Sequence, residues 1–386
     1  MGSITRKAAI VGAGLSDLGH TPDKTFLQLI AQATQRALDD AGLKKSDIDG
    51  LFSAGWITME SIMVAEYLGI NPTYSDNTLP GGSAFEFHVE HAVAAISAGL
   101  CETALICYAE TPLSDRKRRM TRSFTTGAPV ETEEQFEIPY GQWVPIPTYA
   151  LAAQRHMYQY GTTSEQLAEI AVAARRWASL NPLASMRDPL TVQDVLASPM
   201  MSTPLRLRDC CLVSDGGGAV IITSAERAKN LSKKPVWILG TGEAHTHRSI
   251  SSMPDLTVSP AKISGARAFS MAGVVPSDID VLQLYDSFTI TVLLQLEDLG
   301  FCTKGEGGRF VESGRLAPGG ATPTNTGGGG LSCLHTGMFG IFLLIEGASQ
   351  LWGECGDRQV ANARLALCNG VGGNLASSGT VILGVD

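Results

Sequence analysis

Residues 41–49 read AGLKKSDID and residues 272–280 read AGVVPSDID, six identities in nine positions at one offset. Each copy sits in the same surroundings. Ahead of the first, residues 8–11 (AAIV) form a short apolar strand that reaches a glycine turn at Gly12-Ala13-Gly14. Apolar residues then recur at helical spacing (Phe26, Leu29, Ile30, Ala33, Ala37, Leu38) until Gly42 ends the run as a C-cap. Ahead of the second copy, residues 236–242 (VWILGTG) match residues 7–14. Beyond the first copy, the loop 79–82 precedes a helix over 83–98, then Gly99 and a strand over 103–109. Beyond the second, the loop 327–335 precedes an apolar helix over 338–351 and a strand over 364–368. The chain is therefore an internal duplication, with halves at 1–232 and 233–386.

The duplication makes Ser83 and His335 equivalents, each at the mouth of a helix. Unpaired N–H groups and the helix dipole favour negative charge at such a mouth, so an anionic intermediate could be held there. The second mouth is preceded by four glycines, 327–330, a composition suited to close approach of backbone to a ligand. Between 111 and 207 charges cluster and prolines recur; this stretch reads as an insertion covering the site, helical over 164–179. Residues 209–224 return to a glycine-broken strand that closes the first half.

A net charge of -9 argues against a nucleic-acid binder, so an anionic ligand must be met by a local cluster. Arg116-Lys117-Arg118-Arg119, with Arg122, is the strongest basic cluster and Arg175-Arg176 the second. The eight cysteines show no CxxC pair or zinc spacing, and no run of 18 apolar residues occurs; a cytoplasmic protein with free thiols, off the membrane, is expected. His88 and His91 share a helix face without a third ligand, so no metal site is expected. Gly12 and Gly14 fail the dinucleotide-binding spacing, and their repeat at Gly240 and Gly242 explains them as fold.

The duplicated plan, the strand DGGGAVIIT (215–223), the segment LYDSFTITVLLQLEDLGF (284–301), the turn NTGGGGLSCLHTG (325–337) and the terminal CNGVGGNLASSGTVILG (368–384) together resemble the thiolase superfamily. The resemblance is closest to its sterol-carrier-type and lipid-transfer-like branch, including the thiolase-like aldolases that shorten steroid side chains. It implies an α/β fold of five layers, αβαβα, built from two ββαβαβαββ halves with a covering loop insertion, and a homodimer acting on acyl-CoA. Coenzyme A would enter as part of the substrate, with no covalently bound cofactor. It also implies a small zinc-ribbon/OB-fold partner protein.

In the family's thiolases a cysteine at the first helix mouth is acylated, a histidine in a turn activates it, and a second cysteine moves protons. Ser83 aligns with the first cysteine, Gly82 being the alternative register. His335 matches the turn histidine, and Cys368 falls near the second cysteine, with Asn369 one residue away. An unactivated serine is a poor nucleophile. Tyr285, in the turn 285–288 (YDSF), resembles the aldolases instead. The expected reaction is retro-aldol cleavage of a β-hydroxyacyl-CoA, with Tyr285 or His335 taking the hydroxyl proton. Backbone N–H groups at Gly329-Gly330 and Gly372-Gly373 would hold the enolate with His335, and Cys333 would line the site. Asp286 is expected to cap the following helix, and the basic cluster 116–119 to meet the coenzyme A phosphates. A thiolase-type acyltransferase and a non-catalytic acyl-CoA-binding subunit are the alternatives.

Overall fold

The two Ser-Asp-Ile-Asp copies fold into one device used twice. Asp47 and Asp278 accept hydrogen bonds from the backbone N–H three residues back, at Lys44 (2.7 Å) and Val275 (2.9 Å), closing single helical turns at Lys45–Asp47 and Pro276–Asp278. Asp49 then accepts from the N–H groups of Glu102 and Thr103, and Asp280 from those of Arg364 and Leu365. Each second aspartate thereby fixes where a strand distant in sequence begins. A computed structural model describes residues 4–55, 59–115, 135–142 and 144–386.

The first half runs β1 (Ala8–Leu15), α1 (Phe26–Ala41), β2 (Gly50–Ser53), α2 (Glu60–Leu68), β3 (Tyr74–Asp76), α3 (Ala84–Ser97) and β4 (Thr103–Glu110). The covering segment contributes α4 (Pro145–Tyr160), α5 (Ser164–Ser179) and a hairpin of β5 (Met200–Ser202) with β6 (Leu205–Arg206), before β7 (Gly216–Ser224) closes the half. The second half carries β8 (Val236–His245), α6 (Ala261–Ala272), β9 (Val281–Leu284), α7 (Thr289–Asp298), α8 (Gly340–Trp352), β10 (Leu365–Gly372) and β11 (Ser377–Gly384).

The strands order as β3-β2-β4-β7-β1-β8-β11-β10-β9. Within the sheet, β1 of the first half pairs with β8 of the second at Ala9 with Trp237 and Ile10 with Val236. Outward from that junction the two sides repeat: β1, β7, β4 and β2 answer β8, β11, β10 and β9. A parallel bridge between Leu282 and Thr324 stands where a counterpart of β3 would lie. Helix α1 covers β1, β7 and β4 from outside, and α6 covers β8 and β11. Helices α3 and α8 each touch strands of both halves and lie between them, which makes the five layers αβαβα.

Among the described residues each half opens on one strand, where the resemblance implied two. The expected turn at Gly12-Ala13-Gly14 is also strand. Those glycines seat a helix: a Cβ at Gly12 or Gly14 would lie 2.4 Å from the carbonyl oxygen of Ala37 or Ala33 in α1, so β1 runs through them. Gly240 and Gly242 do the same under α6, 2.2 Å from the carbonyls of Ala268 and Ser264. Helix α4 docks on the second half through His156, whose Nε2 lies 3.0 Å from the Glu297 carboxyl, and through Tyr149, which packs on Phe288. Among the described residues no helix is long and apolar enough to cross a membrane.

Candidate active site

Tyr285 continues β9 for one residue, its N–H donating to Asn369 O at 3.0 Å. The chain then turns, and Asp286 reaches back to accept from the N–H groups of Gly330 (2.6 Å) and Leu331 (3.1 Å). Asp286 therefore holds the glycine turn rather than capping α7, whose N-cap position is Phe288. Burial pushes the Asp286 carboxyl up to about 7, against the pull of those N–H donors. Gly329 is required here: its φ is 60°, and a Cβ would stand 2.1 Å from an Asp286 oxygen.

The turn delivers His335, whose N–H donates to Ser214 Oγ at 2.9 Å. Tyr108 secures the next residues, its hydroxyl donating to Thr336 O (2.8 Å) and accepting from Met338 N–H (3.1 Å). With its backbone held on both sides, the imidazole places Nε2 3.2 Å from Tyr285 Oη. Its other face stacks on Phe339, ring centroids 5.9 Å apart. Nδ1 accepts the Gly337 N–H at 3.3 Å. In a neutral ring that leaves the proton on Nε2, which donates to Tyr285 Oη and frees the phenol O–H to point elsewhere. Both groups are neutral, because burial lowers His335 to about 4 and raises Tyr285 well above an ordinary phenol.

The loop before α3 closes the opposite wall. Gly82 lies against the phenol: a Cβ there would be 2.3 Å from Tyr285 Oη and 2.5 Å from Cε2. Gly82 O also accepts the N–H of Gly340, the first residue of α8, so the two helix mouths meet at this point. Ser83 is turned away. Its hydroxyl lies 2.8 Å from Ser377 Oγ, which itself donates to Pro80 O. Of the two registers, Gly82 faces the tyrosine, and it has no side chain to act as a nucleophile.

The remaining candidates separate. Cys368 donates to Leu343 O along α8 and is buried with its thiol raised far up, while Asn369 on the opposite strand face is bonded to Gln295, Ser378 and Thr380. Alternation along β10 puts the two side chains on opposite faces, and each is bonded to a group other than the phenol. Cys333, raised to about 12 by burial, accepts from Asn181 Nδ2 and faces an apolar cavity with Leu15, Leu183 and Phe342. The Gly330 N–H is committed to Asp286 and is therefore not the oxyanion donor expected of it. Gly372 and Gly373 do reach the site wall. The Gly373 N–H lies 2.5 Å from where Gly81 would carry a Cβ, and Gly372 packs on Pro80 O.

Arg116, Lys117, Arg118 and Arg119 lie outside the described residues. Arg175 is buried and its Nε donates to Ser332 Oγ at 3.0 Å, while Arg176 is exposed. His88 bonds Thr78 O and His91 bridges Asp76 and Glu243. Among the described residues no cluster of metal-ligating side chains forms.

Tyr149 has no signal in the sequence: it arrives on α4 and donates to Gly373 O at 3.0 Å, fixing the glycine loop from the covering segment. The fit of Gly82 to Tyr285 is equally invisible, since it joins residues from different halves.

Residues 242–385 match the family described as Thiolase C-terminal domain-like. The chain is 34% identical to an acetyl-CoA acetyltransferase of Methanothermobacter thermautotrophicus, over 95% of this chain and 97% of that one. It is 35% identical to a steroid side-chain-cleaving aldolase of Thermomonospora curvata, over 86% of this chain and 88% of that one. A solved Ltp2-ChsH2(DUF35) aldolase superposes with a TM-score of 0.91 at 31% identity, covering 100% of this chain and 99% of its counterpart.

Proposed function

Because this chain belongs to the thiolase superfamily, we propose that it acts on acyl-CoA and breaks a carbon–carbon bond by retro-aldol cleavage of a β-hydroxyacyl-CoA. One observation carries the reading: the place opposite His335 is filled by the Tyr285 phenol packed on Gly82, which offers no thiol there, and the thiol of nearby Cys211 is pushed far up by burial. Without a nucleophile an acyl-enzyme has no atom on which to form. Retro-aldol cleavage needs none.

In this reading Tyr285 is the acid–base group. As the bond between the α and β carbons breaks, the phenol gives its own proton to the α carbon, where enolate charge develops, and the oxygen left negative takes the proton of the substrate's β-hydroxyl. A ketone or aldehyde and the shortened thioester result, and Tyr285 is restored. The His335 Nε2–H, aimed at Tyr285 Oη, stabilises the negative charge that develops there during the exchange. The Gly373 N–H, with the N–H groups at the mouth of α3, is the donor set for the enolate oxygen. Tyr149 positions Gly373.

The aldolase relatives make a steroid side chain the first acyl group to test, and the two-part make-up of the Ltp2-ChsH2(DUF35) aldolase supports a second chain of that DUF35 kind as partner. A homodimer and a phosphate-binding role for residues 116–119 belong to the same proposal. The acyltransferase reading draws on the acetyl-CoA acetyltransferase relative; it requires a nucleophile that Gly82 does not supply. Tyr285→Phe is expected to retain fold and acyl-CoA affinity while losing turnover at least about 100-fold, as expected for removal of one acid–base group. An unchanged rate would remove Tyr285 from the mechanism.

A further inference from the structure

Behind Gly82, in the first turn of α3, lies a carboxyl group that the retro-aldol steps do not use. Glu86 is 1% exposed, and among the described residues neither of its oxygens meets a donor from another residue. Leaving such a group unpaired costs stability, so its retention calls for a reason. The space around it is shaped for it by three glycines drawn from three elements. A Cβ at Gly340 of α8 would lie 2.4 Å from Glu86 Oε2, one at Gly370 of β10 would lie 2.1 Å from it, and one at Gly379 of β11 would lie 2.6 Å from the Glu86 Cβ.

Two of these contacts join the carboxyl to the site. Gly340 is the residue whose N–H holds Gly82 O, and the Gly370 position also abuts the Cα of Ser83. The titratable groups that sense a charge on Glu86 are Tyr285 across the α3 mouth and Cys368 on β10; both are themselves neutral, and no cation balances it from α8 or β11 among the described residues. A charge here would stand in a dry interior, unscreened, directly behind the wall against which an enolate must form.

We propose that Glu86 is the charge gate of this site: as a neutral carboxylic acid it leaves the paired helix mouths able to hold an anionic intermediate, and its ionisation abolishes that capacity. Glu86 acts as a positioning residue, through Gly82 and Gly340, and does not touch substrate. The inference rests on the retro-aldol reading for its kinetic consequence, but not for the protonation state itself. Burial, which favours the neutral acid, agrees with it.

Glu86→Gln keeps the shape and removes the ionisation. Infrared difference spectra of wild type against E86Q at pH 7 should contain a protonated carboxyl C=O band; a carboxylate signal in its place overturns the proposal. Wild-type turnover of a β-hydroxyacyl-CoA should fall about tenfold per pH unit once Glu86 ionises, whereas E86Q should stay flat over the same interval. An E86Q profile with the wild-type alkaline limb also overturns the proposal. Should E86Q not fold, the wild-type infrared titration decides, because the carboxyl band must vanish over the interval in which the rate is lost. If no hydroxyacyl thioester is cleaved at any pH, the retro-aldol reading fails while the infrared band still decides the state of Glu86.

Discussion

Gly82→Ala tests the contact on which the site depends. Gly82 is not among the glycines with positive φ, so an alanine meets no backbone strain, and the loss of chain freedom in the unfolded state would by itself stabilise by about 0.4–1 kcal/mol. The added methyl, however, would stand 2.3 Å from Tyr285 Oη and 2.5 Å from its Cζ, with Gly340 and α8 behind the loop. The ring has to move, at an overpacking cost of about 1–3 kcal/mol and with the loss of the 3.2 Å bond to His335, worth about 0.5–1.5 kcal/mol. The net expectation is a destabilisation of about 1–4 kcal/mol, read by urea unfolding, together with loss of turnover. In a Tyr285→Ala background the same methyl has room, so its cost should vanish, leaving a coupling of about 1–3 kcal/mol in a double-mutant cycle. Equal costs in both backgrounds would refute the claim that these residues exclude one another.

Three further outcomes follow from other parts of the molecule. Asp286→Asn sets an amide N–H₂ against the N–H groups of Gly330 and Leu331, so it should cost about 1–3 kcal/mol by chemical unfolding and lower turnover by displacing His335. His335 has a folded pKa of about 4, below its unfolded value of about 6.5. The fold therefore favours the neutral ring, and its contribution is fully present above pH 6.5 and lost as pH falls towards 4, by about 3 kcal/mol in all. His335→Gln should flatten that acid limb in pH-dependent denaturation. Gly14→Ala and Gly242→Ala, equivalent residues beneath α1 and α6, should each lower stability by at least about 1–3 kcal/mol in the same assay; tolerance of either would contradict the shared seating of the helices.

The architecture was legible because it is written twice. Asp47, Asp49, Asp278 and Asp280 recur at fixed spacing since each must catch particular backbone N–H groups, and that local requirement survives in both halves. The site was legible where a local motif carries the residue: Tyr285 and His335 come from recognisable turns and do meet. It was illegible where the deciding neighbour is distant in sequence. Whether residue 82 or 83 faces the phenol depends on how α3 is rotated against β10 and β11. Whether Gly330 can hold an oxyanion depends on Asp286 reaching it first. Cys368 read as a site thiol from its motif, but the alternation of β10 directs it towards α8. Glu86 gave the weakest signal, one of two acids in α3, because the three glycines that receive it come from other elements.

Retro-aldol cleavage breaks the carbon–carbon bond without an acyl-enzyme. It is tested most directly by incubating the protein with a β-hydroxyacyl-CoA, a steroid side-chain thioester first, with no free coenzyme A and with any DUF35-type partner supplied, while following products and the intact mass of the chain. Release of a ketone or aldehyde and the shortened acyl-CoA is expected, with the protein mass unchanged throughout. Strict dependence on free coenzyme A, accompanied by an acyl adduct on the chain, would contradict it.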